Sequence, residues 1–211
     1  MVEETNNDKE LVYHYCSVET FLNIVQSKTL WLSDILKSND SKECTWIKDR
    51  INNQIIEHLS KTDAVALNAW NEWYISADMT TYVTCFSERK DFLSQWRAYA
   101  QDGKGLAIGF LKKHLLELND NLPTHMIFDK VIYNEKQQKR FIDETANACI
   151  SKMIQKGVGH IALSFDSDYK VKFPLYKNSS FDEEKEWRII FTSYPYHKKN
   201  ISCGNFLFLS P

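Results

Sequence analysis

The segment FDEEKEWRIIF, residues 181–191, places four acidic side chains immediately before or at the start of a largely apolar Trp-Arg-Ile-Ile-Phe run. Its β-branched and aromatic residues predict a strand, in which successive side chains point to opposite faces of a sheet. Glu184, Glu186 and Arg188 then share one face, and the other face carries apolar side chains, namely Trp187, Ile189 and Phe191. Two carboxylates would project side by side from a stiff element, as on a solvated sheet face or in half of an active site.

The composition predicts one domain spanning residues 1–211, with 43% hydrophobic and 13% aromatic residues to build a core. A formal net charge of -2 gives the chain no general attraction for nucleic acid or anionic membranes. No apolar run is long enough to span a bilayer, and the acidic start MVEETNNDKE predicts no secretory signal. The five scattered cysteines, which form no CxxC pair, indicate reduced packing residues in a cytoplasmic protein.

Hydrophobic periodicity predicts strands at both ends of the chain with helices between them. The predicted strands are 11–17, 29–33, 81–87, 105–110, 126–134, the 181–191 segment and 205–210. Predicted helices are one capped by Ser17, two in a helical insertion at about 43–79, and those at 92–100 and 135–158. Asp40 and Glu43 have the spacing of a capping box. This order favours an α+β fold over a doubly wound sheet.

Motifs of several common enzyme classes are absent from the sequence. There is no HExxH, no GxSxG and no P-loop. The segment GKGLAIG, residues 103–109, has glycines that follow a predicted helix and enter a predicted strand, whereas a phosphate loop leads from a strand into a helix. We therefore expect a turn and a closely packed strand there, and no metal site is expected.

Four features are candidates for chemistry: a histidine on the first strand, an aromatic-Ser pair ending a middle strand, two aromatics on the next helix, and an acidic pair. They are His14, Phe86-Ser87, Trp96 with Tyr99, and Glu184 with Glu186. Each also has a structural explanation. The histidine and aromatics fit core packing, and the glutamates fit a face neutralised by Arg188, Lys185 or Lys177.

One chemistry uses all four features, namely cleavage of the nicotinamide–ribose bond of NAD. That reaction passes through an oxocarbenium-like state, as glycoside cleavage does, so a fixed carboxylate beside the ribose stabilises it. Aromatic rings stack on the cationic nicotinamide, and a neutral histidine holds the ribose. A second carboxylate near the acceptor would orient or deprotonate it.

The ordered blocks LVYHYCS, LWLSD, TCFSERKDFLSQWRAYAQDGKGLAIGF and EEKEWRII resemble a bacterial family known as domain of unknown function 2971. Their order is also similar, more distantly, to the ADP-ribosyltransferase superfamily. That second resemblance implies a fold of two split antiparallel sheets clasping NAD, with helices outside. It implies Glu186 and Glu184 as the catalytic pair. The implied NAD-binding residues are His14, Tyr15, Phe86, Ser87, Trp96, Tyr99 and Arg188.

Three hypotheses follow from these resemblances and residues. The leading one is an enzyme that cleaves NAD and passes ADP-ribose to a macromolecule or to water, as toxin–antitoxin and phage-defence effectors of that superfamily do. The second is a non-catalytic nucleotide-binding or protein-interaction module, in which Arg188 and Lys177 neutralise the glutamates. The third is a metal-dependent hydrolase that uses Asp40, Glu43 and the glutamate pair.

Overall fold

The computed structural model describes residues 11–37, 41–76, 80–119, 126–157, 170–193 and 206–207. The strands in this part of the chain are β1 (Leu11–Cys16), β2 (Thr29–Leu30), β3 (Ser33–Asp34), β4 (Thr80–Ser87), β5 (Leu106–Leu111), β6 (Met126–Lys130), β7 (Glu186–Ser193) and β8 (Phe206–Leu207). The α-helices are α1 (Val18–Ser27), α2 (Ser41–Thr62), α3 (Ala64–Ser76), α4 (Leu93–Tyr99), α5 (Lys112–Leu118) and α6 (Glu135–Lys156). Short 3-10 helices cover 35–37, 101–103, 170–175 and 179–184.

The strands form an antiparallel six-stranded sheet with the order β5-β1-β4-β7-β6, to which β3 adds by pairing with β4. A second, two-stranded sheet joins β2 to β8. Helices and antiparallel strands are mixed along the chain, so the fold is α+β, as predicted. None of the described helices combines the length and hydrophobicity needed to cross a lipid bilayer.

The six-stranded sheet is held together unevenly. Each residue of β1 pairs with β5, and each residue of β4 pairs with β7. Between β1 and β4, however, the ladder consists of the single pair Tyr13–Ser87. The sheet is therefore two well-paired halves joined at one end and separated at the other.

Apolar side chains cover both faces of the sheet. Trp187, Ile189 and Phe191 of β7 lie in one buried cluster, as their alternation predicted. The opposite face contributes Ile190 to a second cluster that includes buried side chains of α2, α3 and α6. From α6 the cluster takes five side chains: Ile142, Ala146, Cys149, Ile150 and Met153. The helices predicted at 43–79 pack on this side through residues that include Trp70, which is 1% exposed.

Local signals placed other elements correctly. The Ser17 side chain accepts a hydrogen bond of 3.0 Å from the Thr20 N–H and caps α1 as predicted. The GKGLAIG segment forms a turn and then β5. A side chain at Gly105 would collide with the carbonyl oxygen of Cys16 and the backbone of Ala100, so this approach of α4 to β1 requires glycine.

One strand prediction was wrong in detail. The strand predicted at 29–33 is two separate two-residue strands, β2 and β3, which belong to different sheets. Between them the carbonyl of Trp31 accepts a hydrogen bond from the Thr84 hydroxyl, which brings this segment onto β4. Of the strand predicted at 205–210, residues 206–207 are described and form β8. Asp40 and the side chain of Glu43 lie outside the described residues.

The FDEEKEWRIIF segment is extended only in its second half. Its first residues lie in the 3-10 helix at 179–184, which Asn178 caps by accepting a hydrogen bond of 2.9 Å from the Ser180 N–H. Lys185 then adopts a left-handed conformation with φ 46°, and β7 starts at Glu186. Glu184 therefore does not share a strand face with Glu186 and Arg188, because the helical turn and the left-handed residue reorient it.

Candidate functional site

A cavity of about 540 Å³ lies where β1 and β4 separate. Residues from β1, β3, β4 and α4 line it, together with Trp31, Leu32, Ile35 and Arg188. Since β1 and β4 are not paired beyond Tyr13–Ser87, residues from both faces of the sheet reach the same space. Its volume is in the range of small-molecule sites in proteins.

His14 bridges the separation between the two strands. Its Nδ1 donates a hydrogen bond of 2.9 Å to the backbone carbonyl oxygen of Cys85, because a carbonyl can only accept. Burial lowers the pKa of His14, and the hydrogen bond to Cys85 offsets this only in part. The ring is therefore neutral near neutral pH. Its Nε2 is an acceptor that has no hydrogen-bond partner among the described residues.

Aromatic rings and one carboxylate are the other groups of the cavity that could contact a ligand. Tyr82 and Tyr99 line it, and Trp31 lies at its rim with 57% of its surface exposed. Asp34 of β3 is paired with Tyr82, so the two side chains lie on the same face of the sheet. The Oδ1 of Asp34 accepts a hydrogen bond of 3.0 Å from the Leu36 N–H.

A cluster of four charged side chains lies beside the start of β7, and one of them, Arg188, also lines the cavity. Glu186 accepts two hydrogen bonds from Arg188, from Nε at 3.0 Å and from a terminal nitrogen at 2.9 Å. The Nζ of Lys177 is 2.8 Å from a carboxylate oxygen of Glu184 and 3.4 Å from one of Glu186. Lys177, Glu186 and Arg188 are 0%, 3% and 1% exposed, so this ion-pair cluster is buried.

The electrostatics of the cluster keep Glu186 ionised. Burial by itself favours the protonated acid, but the charges of Arg188 and Lys177 and the hydrogen bonds from Arg188 and Cys85 outweigh it, so the pKa of Glu186 lies below its ordinary value. The backbone N–H of Glu186 donates to the Tyr133 hydroxyl at 3.2 Å. Both oxygens of the carboxylate are thus engaged inside the protein.

The predicted NAD-binding residues separate into two groups. Four of them line the cavity: His14, Tyr15, Tyr99 and Arg188. Phe86 and Ser87 are 2% and 1% exposed; the ring of Phe86 is in the core, and the Ser87 hydroxyl donates to the Glu184 carbonyl at 2.6 Å. Trp96 packs edge-on against Tyr15 with ring centroids 5.0 Å apart and lines a different, open depression on the other side of α4.

The two predicted catalytic glutamates are not among the residues that line the cavity. Tyr13 pairs with Ser87 and Ser87 pairs with Glu186, so these three side chains share one face of the sheet. His14 follows Tyr13 and points to the other face. The imidazole and the carboxylate that the resemblance brings together therefore project in opposite directions.

Sequence reasoning did not single out several residues of the cavity, namely Trp31, Asp34, Tyr82, Thr84 and Gln95. Trp31 and Asp34 fall inside the LWLSD block, which supported the family resemblance. Nothing local in that block indicates a cavity, because its position depends on the pairing of Ser33–Asp34 with Tyr82–Val83.

Within the described ranges, no group of three or more His, Cys, Asp or Glu side chains is placed to hold a metal ion. The metal-hydrolase hypothesis also invoked Asp40 and Glu43, of which the structure describes only the backbone of Glu43.

Comparison with known proteins places the chain near one family. Residues 95–189 match the sequence model of a family described as protein of unknown function (DUF2971). This stretch runs from α4 into β7, includes Tyr99, Glu186 and Arg188, and bears out the resemblance to the family of unknown function. No curated protein and no solved structure matches the chain.

Proposed function

We propose that this chain is a nucleotide-binding module that holds NAD, with the nicotinamide riboside half in the cavity between β1 and β4. The observation that carries the proposal is the cavity itself, in which the Nε2 acceptor of a neutral histidine lies in the split between two sheet halves. The resemblance to the ADP-ribosyltransferase superfamily supplies NAD as the ligand, since that superfamily places a first-strand histidine against this substrate.

The cavity matches the hydrogen-bonding groups of nicotinamide riboside. Nε2 of His14 and the carboxylate of Asp34 are acceptors, while the ribose hydroxyls and the carboxamide NH₂ are donors. Tyr82, Tyr99 and Trp31 offer ring faces for a planar heterocycle. The guanidinium of Arg188 is already paired with Glu186 and is not offered to the diphosphate of NAD. We therefore expect the diphosphate to extend towards the open side of the cavity.

Binding without turnover is favoured over cleavage because of the position of Glu186. A catalytic carboxylate must lie beside the ribose to stabilise the oxocarbenium-like state. Glu186 is 3% exposed, is not among the cavity residues, and is already paired with two cations. An ion pair of this kind opposes the release of the carboxylate to a substrate, because Arg188 and Lys177 would be left buried without their counter-charge.

A second candidate is NAD hydrolysis, which one observation favours: the cavity holds a different carboxylate, that of Asp34. In that reaction water adds to the ribose carbon, the nicotinamide leaves with the electron pair of the glycosidic bond, and a proton is released. Asp34 would then take the electrostatic role that the resemblance to the ADP-ribosyltransferase superfamily implied for Glu186.

Calorimetric titration of the full chain with NAD tests the proposal. The variant His14→Phe keeps a ring and removes the acceptor, and His58→Phe is the matched control because His58 is exposed on α2. We expect the wild type and His58→Phe to bind equally and His14→Phe to bind about tenfold more weakly, the value of one hydrogen bond.

Failure of the wild type to bind millimolar NAD, or equal binding by His14→Phe, would overturn the proposal. Chromatography of the same mixtures for free nicotinamide separates the two candidates. No nicotinamide above a protein-free blank supports a binding module. Release that Asp34→Asn abolishes and Glu183→Gln retains supports hydrolysis.

A further inference from the structure

We infer that Asp34 makes the cavity selective for a positively charged planar ring, so that it takes oxidised NAD⁺ in preference to NADH. This inference takes its ligand from the proposed function and adds the charge that the ligand must carry. Nicotinamide is a pyridinium cation in NAD⁺, whereas the dihydropyridine ring of NADH is neutral.

The backbone fixes the position of the Asp34 carboxylate. Pairing of β3 with β4 sets Asp34 opposite Tyr82, and Oδ1 accepts the Leu36 N–H at 3.0 Å. These contacts hold one oxygen on the protein. In the part of the chain that the structure describes, Oδ2 has no hydrogen-bond or ion-pair partner. A half-buried carboxylate therefore presents an oxygen that a ligand can use.

The balance of charges around the cavity lets Asp34 determine which ligand charge the cavity prefers. Among the described residues that line it, Arg188 supplies the cation, and Glu186 matches that charge at 2.9 Å. Lys177 is matched by Glu184 at 2.8 Å. Burial keeps His14 neutral by lowering its pKa. Of the cavity-lining side chains in the described part of the chain, Asp34 is then the one whose formal charge is unmatched.

The aromatic residues of the cavity act in the same direction as this charge. The ring of Tyr82 is on the Asp34 face of the sheet, Tyr99 comes from α4, and Trp31 lies at the rim. The face of an aromatic ring carries partial negative charge and attracts cations, most strongly where water is excluded. A carboxylate next to several such faces is an arrangement that recognises a cationic ring and gains little from a neutral one.

Titrations with NAD⁺ and NADH test this inference. We compare the wild type with Asp34→Asn, which keeps an acceptor for the Leu36 N–H and removes the charge, and with Asp182→Asn as control. Asp182 is 56% exposed and lies outside the cavity. We expect the wild type and Asp182→Asn to bind NAD⁺ about tenfold more tightly than NADH, a ratio within the range of cation–π and carboxylate contacts.

Asp34→Asn should bring the two affinities to within about twofold of each other, chiefly by weakening NAD⁺, since the cation–π contacts that remain at an open site are weak. If Asp34→Asn keeps the wild-type preference, or if the wild type binds NAD⁺ and NADH equally, the inference is wrong and the proposed function stands. A second ligand, 1-methylnicotinamide, tests the case in which the charge selection is right and the proposed function is wrong. If the wild type binds neither dinucleotide, but binds 1-methylnicotinamide and loses it on Asp34→Asn, charge selection stands and NAD is the wrong ligand.

Discussion

The polar residues beside the central strands β4 and β7 fall into two groups with opposite arrangements of partners. In the ion-pair cluster, each charge meets an opposite charge, and Glu186 has both oxygens engaged by Arg188. In the cavity, Nε2 of His14 and Oδ2 of Asp34 have no partner among the described residues. Both groups include residues of the same sheet, and Arg188 belongs to the cluster and also lines the cavity.

This difference indicates which of the two groups is the better candidate for a binding site. Buried charges in folded proteins are paired, so acidic residues next to a core strand need basic partners before they can be buried. Lys177 and Arg188 are those partners here, and the cluster therefore stabilises the fold. Acceptors that the protein holds in place and leaves open are better indicators of a ligand.

The largest expected effect comes from removing a charge inside the cluster. Glu186→Gln leaves Arg188 and Lys177 buried with a single carboxylate, and we expect the free energy of unfolding to fall by about 3–5 kcal/mol. Glu183→Gln is the control, because Glu183 is exposed in the same segment, and should change stability by less than about 0.5 kcal/mol. Urea unfolding followed by tryptophan fluorescence measures both. Equal stabilities would show that the cluster is not structural.

The next effect tests the cluster from its cationic side. Lys177→Met keeps the apolar stem that packs in the protein and removes the ammonium group, which also lies 4.8 Å above the ring of Phe181. Glu186 keeps Arg188, so we expect a smaller loss of about 2–3 kcal/mol. Lys172→Met, at an exposed position of the 3-10 helix at 170–175, is the control. A Lys177→Met variant as stable as the control would contradict the structural assignment.

Elements set by local sequence were predicted well. The helix predicted at 135–158 from its apolar period is α6, and the Ser17 cap follows from a serine that precedes an amphipathic helix. The apolar side of β7 likewise follows from strict alternation. In each case the residues that determine the element lie within a few positions of one another, so the pattern is visible in a single sequence.

Features that depend on distant pairing were not predicted. Strand β7 starts only at Glu186, because Glu184 ends a 3-10 helix and pairs with Lys177, and Lys185 turns the chain in a left-handed conformation. Hydrophobic periodicity reveals neither feature. Asp34 enters the cavity because a two-residue strand pairs with β4, roughly fifty positions later in the sequence. The sequence contains the residues of the cavity, but only the pairing of strands brings them together.

A smaller effect is expected at the wall of the cavity. Tyr99→Leu removes an aromatic face from α4, and we expect NAD to bind about three- to tenfold more weakly. The free energy of unfolding should change by less than about 1 kcal/mol, because Tyr99 is 36% exposed. Leu93→Ala, an exposed truncation on the same helix that does not line the cavity, is the control. If Tyr99→Leu changes stability and leaves NAD affinity intact, Tyr99 is a structural residue and does not contact the ligand.

The smallest effects separate the two groups by pH. The folded-state pKa of His14 is below its ordinary 6.5, because burial disfavours the imidazolium, so the unfolded chain binds this proton more readily. Its contribution to stability is complete above pH 6.5 and is lost as the pH falls through the lowered value. Glu186, whose pKa is held below 4.5 by Arg188 and Lys177 against the effect of burial, loses its contribution only as the pH falls below that range.

Unfolding midpoints measured at a series of pH values therefore test the contribution of each group to its own limb of the stability profile. His14→Gln should flatten the decline that starts near pH 6.5 and leave the acid limb unchanged. Glu186→Gln should lower stability near neutral pH and flatten the limb below pH 4.5. If both variants altered the same limb, the cavity and the ion-pair cluster would be one coupled site, since protonation of one group would then be felt by the other.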